Sequence, residues 1–267
     1  MPPASPTNDV QLYHAPSSYY SMIARLALVE AGIDFAPRTV DIHRRMAQFE
    51  PGYVRVNPQM TVPALTTSER VITDSRDILA VAFGDEPGAD AVPEPVTQAV
   101  ARHYRFAVDE LTFSWLLKWN PIARRMVPKT LAAARDRLDR LAAAEPELAD
   151  LYRRRSAVFA GRIATFDPSA VAALHERRWS EAADELDWLE TVLGDGRAFL
   201  CGDSYGPADV VWTVFLARIR FIRRAAEIER RPALRAYDTR MRARPSFRTA
   251  DVWPALDPIK FVRQLLP

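Results

Sequence analysis

Ser17, Ser18, Tyr19, Tyr20 and Ser21 put five hydroxyl groups in succession, directly after Pro16 and ahead of Met22, Ile23 and Leu26. Leu12 and Tyr13, just upstream, end a short apolar run that reads as a strand. The apolar spacing downstream is helical, so the hydroxyls sit where a strand turns into a helix. Backbone N–H groups in the first turn of a helix have no intrahelical acceptor, and the aligned peptide dipoles add partial positive charge there. Such a corner can hold an anion against amides and hydroxyls. Ser18 is the natural cap of this helix, and a cap hydroxyl at a helix end can also turn to a ligand.

The rest of the composition limits what that anion can be. The 267 residues are 48% hydrophobic and 26% charged, enough for a large core in one big or two modest domains. Lys and Arg number 36 against 34 Asp and Glu, a balance that leaves no basic field of the size nucleic acid binding needs. The opening MPPASPTNDV lacks the charged start and apolar run of a signal peptide. No stretch approaches the roughly 20 apolar residues of a membrane span, so a cytoplasmic location with neither membrane nor nucleic acid as partner is expected. The single cysteine, Cys201, excludes internal disulfides and C-x-x-C motifs, and His14, His43, His103 and His175 show no metal-ligand spacing. No metal cofactor is expected. Thiol chemistry at the corner would require a thiol from outside the chain.

The elements that must position the corner follow in order. Strands are expected at residues 10–14, 35–40 and 62–65 and at Val71 and Ile72. Helices are expected at 18–31, irregularly at 43–54, and at 75–83. The order β-α-β-α-β-β-α argues for a mixed sheet with helices packed on it, over residues 1–84. The Gly84–Gly88 tract with Pro93 and Pro95 reads as a linker over 85–95. Beyond it the strand signals vanish. Helices are expected at 96–119, 129–144, 146–164, 168–193, 207–224 and 232–244, an all-α domain over 96–267. In GDSYGPADV, Gly206 fits a helix N-cap, Pro207 the first helical position and Asp209 the third, where its carboxylate reaches back to the Gly206 N–H.

Four passages in order resemble the glutathione S-transferase family: LYHAPSSYYSMIARLAL, NPQMTVPAL, VITDSRDI and GDSYGPADV. The likeness runs from residue 11 to about residue 250 and is to the serine-type, zeta-like active site. More narrowly, FEPGYVRVNPQMTVPAL, ADVVWTVFLARI and RMRARPSF resemble the tetrachlorohydroquinone reductive dehalogenase branch. The resemblance implies a thioredoxin-like first domain, a helical second domain, glutathione as co-substrate and a homodimer. It implies that Ser18 donates a hydrogen bond to the glutathione thiolate, with Tyr20 and Ser21 as competing donors and Tyr19 beside them. Thr61, Val62 and Pro63, with a cis Val62–Pro63 bond, would face the cysteinyl part of glutathione. Asp74 and Ser75 would receive its γ-glutamyl end. His43, with Arg44, either reaches the glycyl carboxylate or belongs to a solvated surface.

An electrophile would bind between the domains against the aromatic segment holding Tyr104, Phe113 and Trp115, although aromatic residues at helical spacing also build cores. The dehalogenase branch has a cysteine that forms a mixed disulfide with glutathione, and Tyr20 occupies that position here. Three readings follow. The chain is a transferase that adds glutathione to an apolar or aromatic electrophile, a glutathione-dependent dehalogenase or aryl-ether-cleaving enzyme, or a non-catalytic binding protein of the same fold.

Overall fold

The computed structural model describes residues 9–84 and 93–263, so residues 85–92 of the expected linker lie outside the described residues. The chain divides into two compact units. One comprises residues 9–84 with the C-terminal segments Pro245–Val252 and 257–263, and the other residues 93–244 with Trp253–Leu256.

In the first unit β1 (Gln11–His14) lies at the centre of a four-stranded sheet of order β2-β1-β3-β4. β2 (Ala36–Thr39) runs parallel to it, pairing Gln11 with Ala36. β3 (Ala64–Thr66) runs antiparallel, pairing Tyr13 with Ala64, and β4 (Val71–Ile72) closes the edge against β3. The third strand begins two residues later than the sequence suggests, because Pro63 has no N–H to give to a ladder. The Val62–Pro63 bond is cis.

Helix α1 (Tyr19–Glu30) buries Met22, Ile23, Leu26 and Ala27 and packs with α3 (Ser75–Ala82), which buries Ile78 and Leu79. It stops where Gly32 takes φ +68, a conformation open to glycine at little cost. A 3-10 turn (Ala47–Phe49) and α2 (Pro51–Val56) fill the expected irregular segment. Two short C-terminal helices, α12 (Pro245–Thr249) and α13 (Pro258–Arg263), belong to this unit, and α12 packs on α1.

The second unit is helical throughout its described residues: α4 (Glu94–Arg105), α5 (Val108–Trp119), α6 (Pro121–Ala144), α7 (Ala149–Thr165), α8 (Val171–Leu193), α9 (Pro207–Phe221), α10 (Ala225–Glu229) and α11 (Pro232–Ala243). Where the sequence suggests one helix over 96–119 there are two. Phe106 turns to an extended conformation and buries its ring edge-on against Phe215, ring centroids 5.5 Å apart. Burying a phenylalanine is worth about 1.5–3 kcal/mol, enough to offset the helical hydrogen bonds lost at the break. Conversely, α6 continues through Pro128, because Asn120 starts it earlier by accepting from the N–H groups of Ile122 and Ala123, each at 3.0 Å.

Helix α9 forms the core of this unit, with every residue from Ala208 to Ile219 buried. Its start is held by Asp209, which accepts from Gly206 N–H at 2.9 Å, Leu200 N–H at 3.0 Å and the Tyr237 hydroxyl at 2.7 Å. Gly206 has no hydroxyl to return the bond, so the carboxylate alone joins the loop, the helix and α11. Replacing Asp209 by Ala strands two buried donors, Leu200 N–H and the Tyr237 hydroxyl, and the partly buried Gly206 N–H, at about 1–3 kcal/mol each. We expect Asp209→Ala to lower the unfolding free energy by at least about 3 kcal/mol, seen as an earlier urea midpoint; a wild-type midpoint would contradict this.

Candidate active site

Ser18 is the N-cap of α1, in an extended conformation, and its Oγ accepts from Ser21 N–H at 3.3 Å. An oxygen that accepts here keeps its own proton for a further partner. Its backbone N–H donates to Ala15 O at 3.0 Å, which draws the turn Ala15–Pro16 tight against the helix start. Capping and donation outward are thus compatible in one side chain, and the residue is half-buried at the surface of the unit.

The neighbouring hydroxyls are disposed differently. Ser21 is fully buried and its Oγ accepts from Ala15 N–H at 3.3 Å, so it braces the turn from inside. Tyr19 is buried, and Tyr20 lies half-buried with its ring edge-on to Tyr19 at 5.3 Å. Ser17 Oγ meets His43 Nε2 at 2.9 Å. The His43 loop is shaped by Asp41, whose carboxylate accepts from the N–H groups of His43 at 2.9 Å, Arg44 at 2.8 Å and Arg45 at 3.1 Å. Burial pushes the Asp41 carboxyl up, but these three amides outweigh it and hold the group below the usual carboxylate range.

The other sequence-predicted residues cluster in the same unit. Thr61, Val62 and Pro63 lead into β3 from a loop fixed by two residues that sequence reasoning missed. Tyr53 donates its hydroxyl to Thr61 O at 2.5 Å, and Asn57 Nδ2 donates to the same carbonyl at 2.8 Å. Val62 lies ahead of the first ladder pair and buries its side chain with Ala15, Val40 and Tyr53, so the loop and the turn before Ser18 share one apolar patch. Asp74, with Ser75 following it as the first helical residue, caps α3 by accepting from Arg76 N–H at 2.7 Å. Asp74 is exposed while Ser75 is buried. The Asn57-Pro58 pair was the readable sign of the loop.

Arg25 is a third residue missed. It sits among apolar neighbours on α1 at 5% exposure. Its guanidinium donates to Ala15 O at 3.4 Å, Pro16 O at 3.1 Å and His14 Nδ1 at 3.1 Å, and to Ala250 O at 2.7 Å and Asp251 O at 3.0 Å. Because Arg can only donate, His14 Nδ1 must be the accepting nitrogen. Burial, helped by Arg25, lowers the His14 pKa to about 4, with Asp251 opposing. Burial also lowers Arg25 to about 10.

In the helical unit Tyr104, Phe113 and Trp115 do not converge. Tyr104 stands edge-on to His103 at 4.9 Å; Phe113 contacts Phe166 at 5.4 Å under the Arg162 guanidinium; and Trp115 faces Phe221 at 6.5 Å. Two residues apart on a helix, Phe113 and Trp115 point to nearly opposite faces. Among the described residues no group of three or more His, Cys, Asp or Glu side chains is placed to hold a metal ion, and no helix is long and apolar enough to cross a membrane.

A thioredoxin-like sheet unit with a hydroxyl at the first helix start, joined in sequence to a helical unit, is the architecture of the glutathione transferase fold. The family models described as the glutathione S-transferase N-terminal and C-terminal domains match residues 17–82 and 172–237. A tetrachloro-p-hydroquinone reductive dehalogenase from Sphingobium chlorophenolicum is 34% identical over 251 residues, covering 92% of this chain and 97% of the relative. In fold, the chain is similar to a glutathione transferase family member from Pseudomonas fluorescens solved with two glutathione bound (TM-score 0.64, 18% identity, 94% and 96% covered). It is also similar to the beta-etherase LigF from Sphingobium sp. strain SYK-6 (TM-score 0.63, 19% identity, 91% and 98% covered). The chain belongs to the glutathione S-transferase family and is an enzyme that uses glutathione as co-substrate.

Buried histidines give each unit a pH signature, His14 at the corner and His103 on α4 of the helical unit. His14 at about 4 and His103 at about 3 are both depressed by burial below the unfolded value near 6.5. A depressed group contributes stability that is complete above the unfolded pKa and is lost as pH falls toward the folded one. For His14 this amounts to at most about 3 kcal/mol across that interval. We expect urea midpoints to fall steadily from pH 7 to pH 5, and less steeply in His14→Gln; equal slopes for the two proteins would contradict the assignment.

Proposed function

We propose that Ser18 activates the glutathione thiolate for attack on an aromatic electrophile. The observation that carries this is the cap geometry: Ser18 Oγ accepts from Ser21 N–H and keeps its proton for a ligand at the start of α1. A free thiol has a pKa of about 8.5, and a hydroxyl donor with first-turn amides favours its charged form. Tyr20 is the alternative donor, being partly exposed on the same turn, whereas Ser21 supports the turn from inside. Thr61, Val62 and Pro63 would carry the cysteinyl backbone, with Val62 offering peptide groups in the manner of strand addition. Asp74, Ser75 and the α3 amides would take the γ-glutamyl end, and Tyr19 and His43 would flank the tripeptide.

In the reaction the thiol proton leaves to solvent and the thiolate sulfur attacks the electrophilic carbon. A C–S bond forms as the bond to the leaving group breaks, and the leaving group departs with the electron pair. The α4–α5 segment is proposed to hold the electrophile, with Tyr104 and Trp115 nearer to that role than Phe113, which lies under Arg162. The relation to a reductive dehalogenase favours chlorinated aromatics as the substrate class. Reduction proper would need a second thiolate to attack the conjugate sulfur, giving oxidised glutathione and a carbon that takes up a proton. The corner itself holds hydroxyls and no thiol. Cys201 lies in the helical unit, its thiol pushed up to about 11 by burial and donating to Pro95 O at 3.5 Å. Conjugation is therefore the first reading and reductive dehalogenation with glutathione from solution the second. A homodimer and a cytoplasmic location complete the proposal, on family grounds.

Ser18→Ala should lower kcat/KM with glutathione and a chlorinated or nitro-substituted aromatic by about 10²-fold, the scale of losing one preorganised donor. Unchanged activity would move the role to Tyr20. Product analysis then separates the readings: a glutathione conjugate supports the first, and dechlorinated product with oxidised glutathione supports the second.

A further inference from the structure

The C-terminal end of the first unit touches the α1 corner from two sides. On one side Arg25 grips it. Its Nε donates to Ala250 O at 2.7 Å and its Nη2 to Asp251 O at 3.0 Å, while the same guanidinium holds Ala15 O and Pro16 O. Asp251 presents its carbonyl from a left-handed conformation, φ 50. On the other side the chain returns along α13, where the Phe261 ring lies 5.2 Å from the His43 ring, and His43 Nε2 meets Ser17 Oγ at 2.9 Å. Lys260 Nζ joins the two ends by pairing with Asp251 Oδ1 at 2.6 Å. Ala250 and Asp251 on one side and Phe261 on the other thus bracket the Ala15–Ser17 turn, and Ala15 O, which Arg25 grips, also accepts the Ser18 N–H.

We infer that this segment is a strap that positions the thiol-activating corner, with Arg25 and Phe261 as its positioning residues. The inference rests on the reading of Ser18 as the thiolate donor. A guanidinium is suited to the task because its planar fork reaches several fixed carbonyls at once, whereas a lysine ammonium offers a single point charge on a flexible stem. On the far side a shift of His43 would release Ser17, the residue immediately before the cap. Displacement of a donor by a fraction of an ångström is felt strongly in a preorganised site, so the strap should govern thiolate stabilisation more than substrate capture. The charged and titratable groups around the corner are His14 and Arg25 on β1 and α1, Asp41, His43, Arg44 and Arg45 on the loop, and Asp251 and Lys260 on the strap. Phe261→Ala and Arg25→Lys leave all of these charges in place.

The test is the ultraviolet titration of the glutathione thiol bound to the full-length protein. Arg25→Lys and Phe261→Ala should each raise that pKa by about one unit, a tenfold smaller thiolate fraction at a given pH. Arg25→Lys should lose kcat with little change in the KM for glutathione, and Phe261→Leu should restore most of what Phe261→Ala loses. A bound-thiol pKa equal to wild type in folded Phe261→Ala would overturn the strap even if Arg25→Lys fails to fold. Wild-type protein that binds glutathione without shifting its thiol would overturn the Ser18 reading, and the strap with it.

Discussion

A guanidinium at 5% exposure is tolerable only if its donors are met, and in this protein the groups that meet them define the site. Arg25 draws together the end of β1 through His14, the Ala15–Pro16 turn, and the carbonyls of Ala250 and Asp251. Removing any of these acceptors would leave a buried charge short of partners, so the turn and the C-terminal segment are fixed by the same requirement. The apolar patch of Ala15, Val40, Tyr53 and Val62 locks the other side of the turn to the loop before β3. Between these two constraints the start of α1 has little freedom, which is what a preorganised donor needs.

The chemistry of the corner follows from what stands on it. Hydroxyls and helix amides stabilise an anion without being consumed, and in the proposed function that anion is the thiolate of the glutathione co-substrate. Cys201, the one sulfhydryl in the sequence, is raised to about 11 in the helical unit and is poorly ionised near neutral pH. On that proposal, the structure around the start of α1 serves to hold and ionise a borrowed thiol. The aromatic side chains proposed to meet the electrophile each have a neighbour within the helical unit.

Much of this was legible in the residues. The strand-to-helix corner, the chain order of strands and helices and the Asp209 cap all carry local signals, namely turn prolines, cap residues and apolar runs, whereas the cis Val62–Pro63 bond was expected only from the family resemblance. What escaped was set by distant partners. Arg25 reads as an ordinary helix arginine until its acceptors, some 225 residues away, are in place. The break between α4 and α5 has no Gly or Pro to announce it, because burial of Phe106 against α9 decides it. The aromatic segment reads as one stripe, yet the break and the helical angle send Tyr104, Phe113 and Trp115 to different neighbours. Tyr53 and Asn57 escaped for a similar reason, since they act on the carbonyl of Thr61 and a sequence shows side chains only.

The central claim is that the start of α1 ionises glutathione. Its most direct test is the pKa of the glutathione thiol on the wild-type protein, followed by thiolate absorbance across pH with excess protein. The account predicts a value at least about one unit below the free-thiol value near 8.5, independent of any electrophile. Bound glutathione that titrates at its free value would contradict it.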